Sequence, residues 1–177
     1  MYLWLAVNID DQLCPLKCRV QEVTSRLSAQ NLALTLPFHV SLRISAPVED
    51  AKWEEAADAI AAYFASLSPF DMKPEAIERN GGIVWLRILE NKALRAIHQK
   101  LVDFPQRAFG MPPQPLDSCF LFHTTLFMGD ETQAESAFAL LKGEPFPGKL
   151  TARKFIMGIS PTGRPGDYRE VRTITVF

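Results

Sequence analysis

Two of the three histidines in this 177-residue chain stand in the same short setting: His39 in Phe-His-Val-Ser-Leu and His123 in Phe-His-Thr-Thr-Leu. An imidazole titrates near neutrality, so of two that face each other one can be neutral and accept a proton while the other is charged and donates one. A hydroxyl two residues further on, Ser41 or Thr125, can donate a hydrogen bond to an oxygen on which negative charge builds up. Two such pairs suit the cleavage of a phosphodiester, a reaction for which this machinery requires no metal ion. A lone His-x-Ser on a strand is more often a packed or surface feature, and it is the recurrence that points to function.

Strand parity says which side chains reach that chemistry. Successive side chains of a strand point to opposite faces. In "LPFHVSLRIS" this sends Phe38, Val40 and Leu42 to a core and His39, Ser41 and Arg43 to an open face. In "LFHTTLFM" it sends Phe122, Thr124 and Leu126 inward, with Thr124 the one polar misfit, and leaves His123, Thr125 and Phe127 on the open side. On this reading Arg43 offers a positive charge to a phosphate and Phe127 a stacking surface to a base.

The elements that must position these residues are legible as patterns. "YLWLAVN" reads as a strand, and "DDQLCPLKCRVQEVTSRLSAQN" as a helix from Asp10 or Asp11 to about Asn31, with Pro15 in its first turn or bending it. The first motif strand precedes an Ala-rich helix in "EDAKWEEAADAIAAYFASL". "FDMKPEAIER" and "IVWLRIL" then form a hairpin across Asn80-Gly81-Gly82. "NKALRAIHQKLVDF" is a helix capped by Asn91, "DETQAESAFALLKG" a helix closed by Gly143, and "GKLTARKFIMGIS" and "REVRTITVF" are strands around a Gly/Pro/Arg loop. The order motif strand, helix, two strands therefore occurs twice, with the histidines 84 residues apart (123 − 39). Such a repeat predicts an α+β, pseudo-twofold chain: two antiparallel sheets with helices on their outer faces and one histidine strand from each half meeting at the centre.

Other residues are weaker candidates. Trp85 and Arg87 share the face of their strand opposite Val84, Leu86 and Ile88, which would put a stacking platform and a phosphate contact in the groove; Trp4 shares the parity of Tyr2 and Ala6. Arg164, Tyr168 and Arg169 lie in or beside a loop that could close over substrate. His98 reads as a packing histidine. Cys14, Cys18 and Cys119 read as small, partly buried hydrophobes, too few for a metal site and too awkwardly spaced for a disulfide.

Composition bounds the whole. The chain is long enough for one domain with a sizeable core, and 47% hydrophobic with 22% charged residues is ordinary for a globular protein. A formal net charge of −1 supplies no global field for nucleic acid, which favours a small or short substrate. The start lacks a basic, apolar leader and no apolar run is long enough to span a bilayer, so a cytoplasmic protein without a membrane partner is expected.

The tetrapeptides "HVSL" and "HTTL", with this length and this repeat, resemble the 2H phosphoesterase superfamily, and within it the 2′-5′ RNA ligase-like, cyclic phosphodiesterase branch. The resemblance implies a bilobal fold of two interleaved lobes in one domain over residues 1–177, a central cleft, and His39, Ser41, His123 and Thr125 as catalytic residues. It also implies no metal cofactor and a nucleotide or RNA terminus bearing a 2′,3′-cyclic phosphate as partner, with hydrolysis and reversible 2′-5′ ligation as the reactions; no other cofactor and a monomer are the further expectations. Relatives of that branch often carry a basic residue just after the second motif, where this chain reads "FMGD". The alternative is a module that holds a phosphorylated ligand or RNA end in the same cleft without turning it over.

Overall fold

The computed structural model describes every residue from Met1 to Phe177. Its eight strands are β1 (Tyr2–Asn8), β2 (His39–Pro47), β3 (Phe70–Asn80), β4 (Ile83–Leu89), β5 (His123–Met128), β6 (Leu150–Ala152), β7 (Lys154–Ser160) and β8 (Arg169–Thr175). The helices are α1 (Cys14–Arg26), α2 (Trp53–Ala65), α3 (Lys92–Phe109) and α4 (Glu131–Leu141). The strands form two antiparallel four-stranded sheets, ordered β2-β1-β7-β8 and β5-β4-β3-β6. Each motif strand is thus the edge of its own sheet, and β2 and β5 approach each other. The helices α2 and α3 cover the first sheet, α1 and α4 the second.

Local chemistry explains most element ends. Pro15 occupies the first turn of α1, where its missing N–H costs nothing. The helix stops at Arg26, short of the expected Asn31, because Ser28 turns into the left-handed region (φ 49°) and Asn31 serves instead as the cap of a 3-10 turn over Leu32–Thr35. Asn91 and Asp130 cap α3 and α4 by accepting from the backbone N–H of Leu94 and Gln133. Gly81 (φ 53°) makes the β3–β4 hairpin.

Three departures from the sequence reading are physical. First, α3 runs through Pro105 to Phe109 and closes on left-handed Gly110, rather than stopping before the proline. Pro105 cannot donate to the carbonyl of Leu101, and the buried Arg43 takes that carbonyl at 2.9 Å instead. Second, "GKLTARKFIMGIS" is two strands: β6 pairs with β3 and β7 with β1, so the chain changes sheet at Arg153. Third, the repeat begins earlier than the motifs, as strand, helix, 3-10 turn, motif strand, helix, strand, and each half sends strands to the other half's sheet, β3 from the first half and β7 and β8 from the second. One buried apolar cluster runs from Leu3 and Val40 in the first sheet to Leu86 and Leu126 in the second.

Candidate active site

Both motif strands carry a bulge at the same motif position. Between β1 and β2, Ala6 pairs with Ser41 but the adjacent Leu5 pairs with Arg43, leaving Leu42 as an extra residue. Between β4 and β5, Trp85 pairs with Thr125 but Val84 pairs with Phe127, leaving Leu126 extra. A bulge resets the alternation beyond it. His39, Ser41, His123 and Thr125 lie before the bulges and face the cleft between the sheets, as expected. Arg43 and Phe127 lie beyond them and are both fully buried, which corrects their placement in the groove. The next residues, Ile44 and Met128, line the cleft in their stead.

Arg43 has a structural post. Its guanidinium donates to the carbonyls of Leu101 (2.9 Å) and Pro112 (2.8 Å) and lies 3.7 Å from the Asp117 carboxylate. Burial lowers its proton affinity and Asp117 opposes that effect. His98 is fully buried beside it, between the carbonyls of Leu42 (2.7 Å) and Asp117 (3.0 Å) and stacked on Phe120. The bulge of β2 is thereby tied to the connection that leads into β5.

The other predicted binding residues are displaced too. Trp85 packs on the His123 ring, with centroids 5.3 Å apart, and donates to Glu78, outside the cleft lining. Arg87 is on the same face, opposite His123 in register, but Glu75 and Glu78 neutralise it there. The loop after β7 is held rather than free. Ser160 Oγ accepts from the N–H groups of Thr162 and Gly163, and Tyr168 and Ser45 share a hydrogen bond of 3.0 Å. Gly163, Pro165, Gly166 and Tyr168 form a wall of the cleft, while Arg164 and Arg169 are exposed outside it.

Within the cleft, of about 380 Å³, the two histidines are held alike. The carbonyl two residues back faces Nδ1 in each: Pro37 for His39 at 2.7 Å, Leu121 for His123 at 2.9 Å. A carbonyl only accepts, so Nδ1 carries the proton and Nε2 is left without a protein partner, open to the cleft. Burial pushes His39 down to about 4, the Pro37 carbonyl drawing it partly back and the charge of His123 lowering it further. Burial likewise lowers His123, against the pull of the Leu121 carbonyl.

Trp4 is the residue that strand reading undervalued. It is buried, meets His39 edge-on at 4.4 Å, and donates from Nε1 to Ser41 Oγ at 3.2 Å. Ser41 therefore accepts from the indole and keeps its own proton to give to a ligand. Asn31 is a second such residue: its side-chain amide pairs with the Leu126 carbonyl and the Met128 N–H, each at 3.0 Å, fixing the cleft wall at Leu32 and Leu36 to the free edge of β5. Nothing in the local sequence of either residue announces these contacts. No group of three or more His, Cys, Asp and Glu side chains is arranged to hold a metal ion, and no helix is long and apolar enough to cross a membrane.

The fold has counterparts of known structure. LigT of E. coli in its apo form superposes with a TM-score of 0.63 at 15% identity, covering 99% of this chain and 96% of that one. TT0787 of Thermus thermophilus gives 0.59 at 14% (99% and 98% covered), and Usb1 of Kluyveromyces marxianus 0.50 at 12% (99% and 97%). No curated protein matches the chain by sequence. The model of the 2′-5′ RNA ligase superfamily matches residues 9–159, and the chain belongs to that superfamily.

Proposed function

We propose that the protein is a metal-independent phosphodiesterase that opens the 2′,3′-cyclic phosphate of a nucleotide or RNA end, with His39, Ser41, His123 and Thr125 as its catalytic residues. The observation that carries this reading is the matched setting of the two histidines, each with Nδ1 given to the carbonyl two residues back and Nε2 open to one shared cleft. His39, the ring held down to about 4, stays neutral and takes a proton from water at Nε2. That water attacks phosphorus in line with the departing ribose oxygen, and His123 gives its Nε2 proton to that oxygen as the P–O bond breaks. The hydroxyls of Ser41 and Thr125 donate to the nonbridging oxygens, where charge accumulates. With a ribose 5′-hydroxyl in place of water, the same groups in the same protonation states join two ends, and the reverse cleavage starts from the exchanged states.

Membership of the superfamily supports a phosphoesterase or ligase, and the crystal structures of E. coli LigT with 3′-AMP, ATP and NADP+ support a nucleotide as the class of ligand. The test is turnover of 2′,3′-cyclic nucleotides in the presence of a chelator, comparing the native protein with His39→Ala and His123→Ala. The expected result is chelator-resistant hydrolysis that falls by at least about 10²-fold in either variant. Hydrolysis that survives both substitutions would overturn the assignment, and tight binding without turnover would turn the reading to a ligand-holding module.

A further inference from the structure

The cleft contains no fixed charge: none of its lining residues is Lys, Arg, Asp or Glu, in a chain where such residues make up 22%. The two cations that strand parity assigned to it are used elsewhere, Arg43 inside the core and Arg87 between two glutamates. Arg164 lies on the loop that walls the cleft, but its side chain is exposed outside the lining. The rim is apolar instead. Leu116 (53% exposed) and Leu121 (44%) are two of only three large hydrophobic residues exposed on the molecule, and both border the cleft. Apolar side chains open to water at the edge of a pocket mark a surface meant to be covered by a ligand.

The cleft's ionisable side chains are His39, His123, Cys119 and Tyr168, of which only the two imidazoles can carry positive charge, and Ser41 and Thr125 are the motif hydroxyls beside them. One phosphodiester monoanion is enough to engage all four. A second phosphate would have to leave water for an apolar wall with no cation to meet it, which is costly. The size agrees: about 380 Å³ lies in the range of roughly 300–1,000 Å³ usual for a small-molecule site. We propose that the substrate is a phosphodiester whose only negative charge is the scissile group itself, borne on an uncharged body of about mononucleoside size, and that the cleft rejects substrates carrying a further phosphate. This proposal rests on the phosphodiesterase reading above and narrows it, setting a free nucleoside cyclic phosphate ahead of an RNA terminus.

The experiment compares kcat/KM for adenosine 2′,3′-cyclic phosphate with that for the same compound bearing a 5′-phosphate and for a dinucleotide ending in a 2′,3′-cyclic phosphate. The native protein should favour the first by at least about tenfold over each of the others. Leu116→Lys, at an exposed position on the rim, should bring the 5′-phosphorylated compound back by about fivefold relative to the unphosphorylated one, about what one opposite charge in contact contributes in water. Equal or faster turnover of the 5′-phosphorylated compound or the dinucleotide overturns the proposal and leaves the phosphodiesterase reading standing. A ratio that does not move in Leu116→Lys also overturns it, because the discrimination would then not come from missing charge. No turnover of any of the three removes the phosphodiesterase reading and this proposal with it.

Discussion

A histidine that gives Nδ1–H to a carbonyl presents a defined Nε2, and the contacts of His39 with Pro37 and of His123 with Leu121 do this twice in one cleft. Two neutral rings cannot complete an acid–base cycle, so the productive protein holds one proton between them. In the reaction proposed above, with His39 the ring held at about 4, that proton is assigned to His123 as the acid. A substrate whose leaving group is p-nitrophenolate needs no proton on departure and separates the two roles. On such a diester His123→Ala should lose less than about tenfold and His39→Ala about 10²-fold; equal losses would refute the division of labour. The pH profile has a matching sign. Since burial lowers both rings, kcat/KM should rise as pH falls through the ordinary imidazole value of 6.5 and fall again toward about 4, where His39 takes a proton. A kcat/KM that is flat through that interval would count against both assignments.

The bulges at Leu42 and Leu126 are what make each motif strand a device: polar residues face the cleft up to the fourth motif position, and the residue after it turns into the core. Alternation along the strand was enough to place His39, Ser41, His123 and Thr125, since all four precede the bulge. It could not place Arg43 or Phe127, because a bulge is set by the partner strand's register and leaves no mark on the bulged strand's own pattern. The burial of Arg43 was likewise invisible, since it depends on a carbonyl freed by Pro105 and a carboxylate at Asp117, both distant in sequence. The starts of α3 and α4 and the glycine hairpin were readable because a capping side chain and a left-handed Gly81 act locally, whereas the exchange of strands between sheets is a pairing choice that local pattern does not encode. Another such pairing fixes Trp4. Gly158 of β7 lies opposite it, and a Cβ there would come within 2.6 Å of the indole. Gly158→Ala should therefore push the indole against His39 and Ser41, costing about 1–3 kcal/mol of stability and lowering kcat/KM. Gly143→Ala, with nothing within 4 Å of its Cβ, is the control and should stay within about 0.5 kcal/mol in urea titrations. An active, fully stable Gly158→Ala protein would remove Trp4 from the account of the site.

At the scale of the whole molecule, the cleft exists only because neither sheet is made by one stretch of chain. The first sheet needs β1 and β2 from the start and β7 and β8 from the end, and α1, which follows β1, packs on the second sheet while α3, which follows β4, packs on the first. Arg43 and His98 reinforce this by joining the β2 bulge to the connection that enters β5, so a shift of one sheet would break buried polar contacts as well as apolar ones. Breaking such a pair costs about 3–5 kcal/mol, a large part of a typical total stability. We therefore predict that the two lobes unfold together as one domain over residues 1–177. Trp4 reports on the first sheet and Trp85 on the second, and Trp85→Phe leaves only Trp4 and Trp53, which lies on the helix covering the first sheet. Urea transitions followed by tryptophan fluorescence in the native and Trp85→Phe proteins should each coincide with the transition seen by far-ultraviolet circular dichroism. Independent lobes would give a fluorescence midpoint in Trp85→Phe displaced from the dichroism midpoint, and the alignment of the two histidines would then depend on a hinge instead of a shared core.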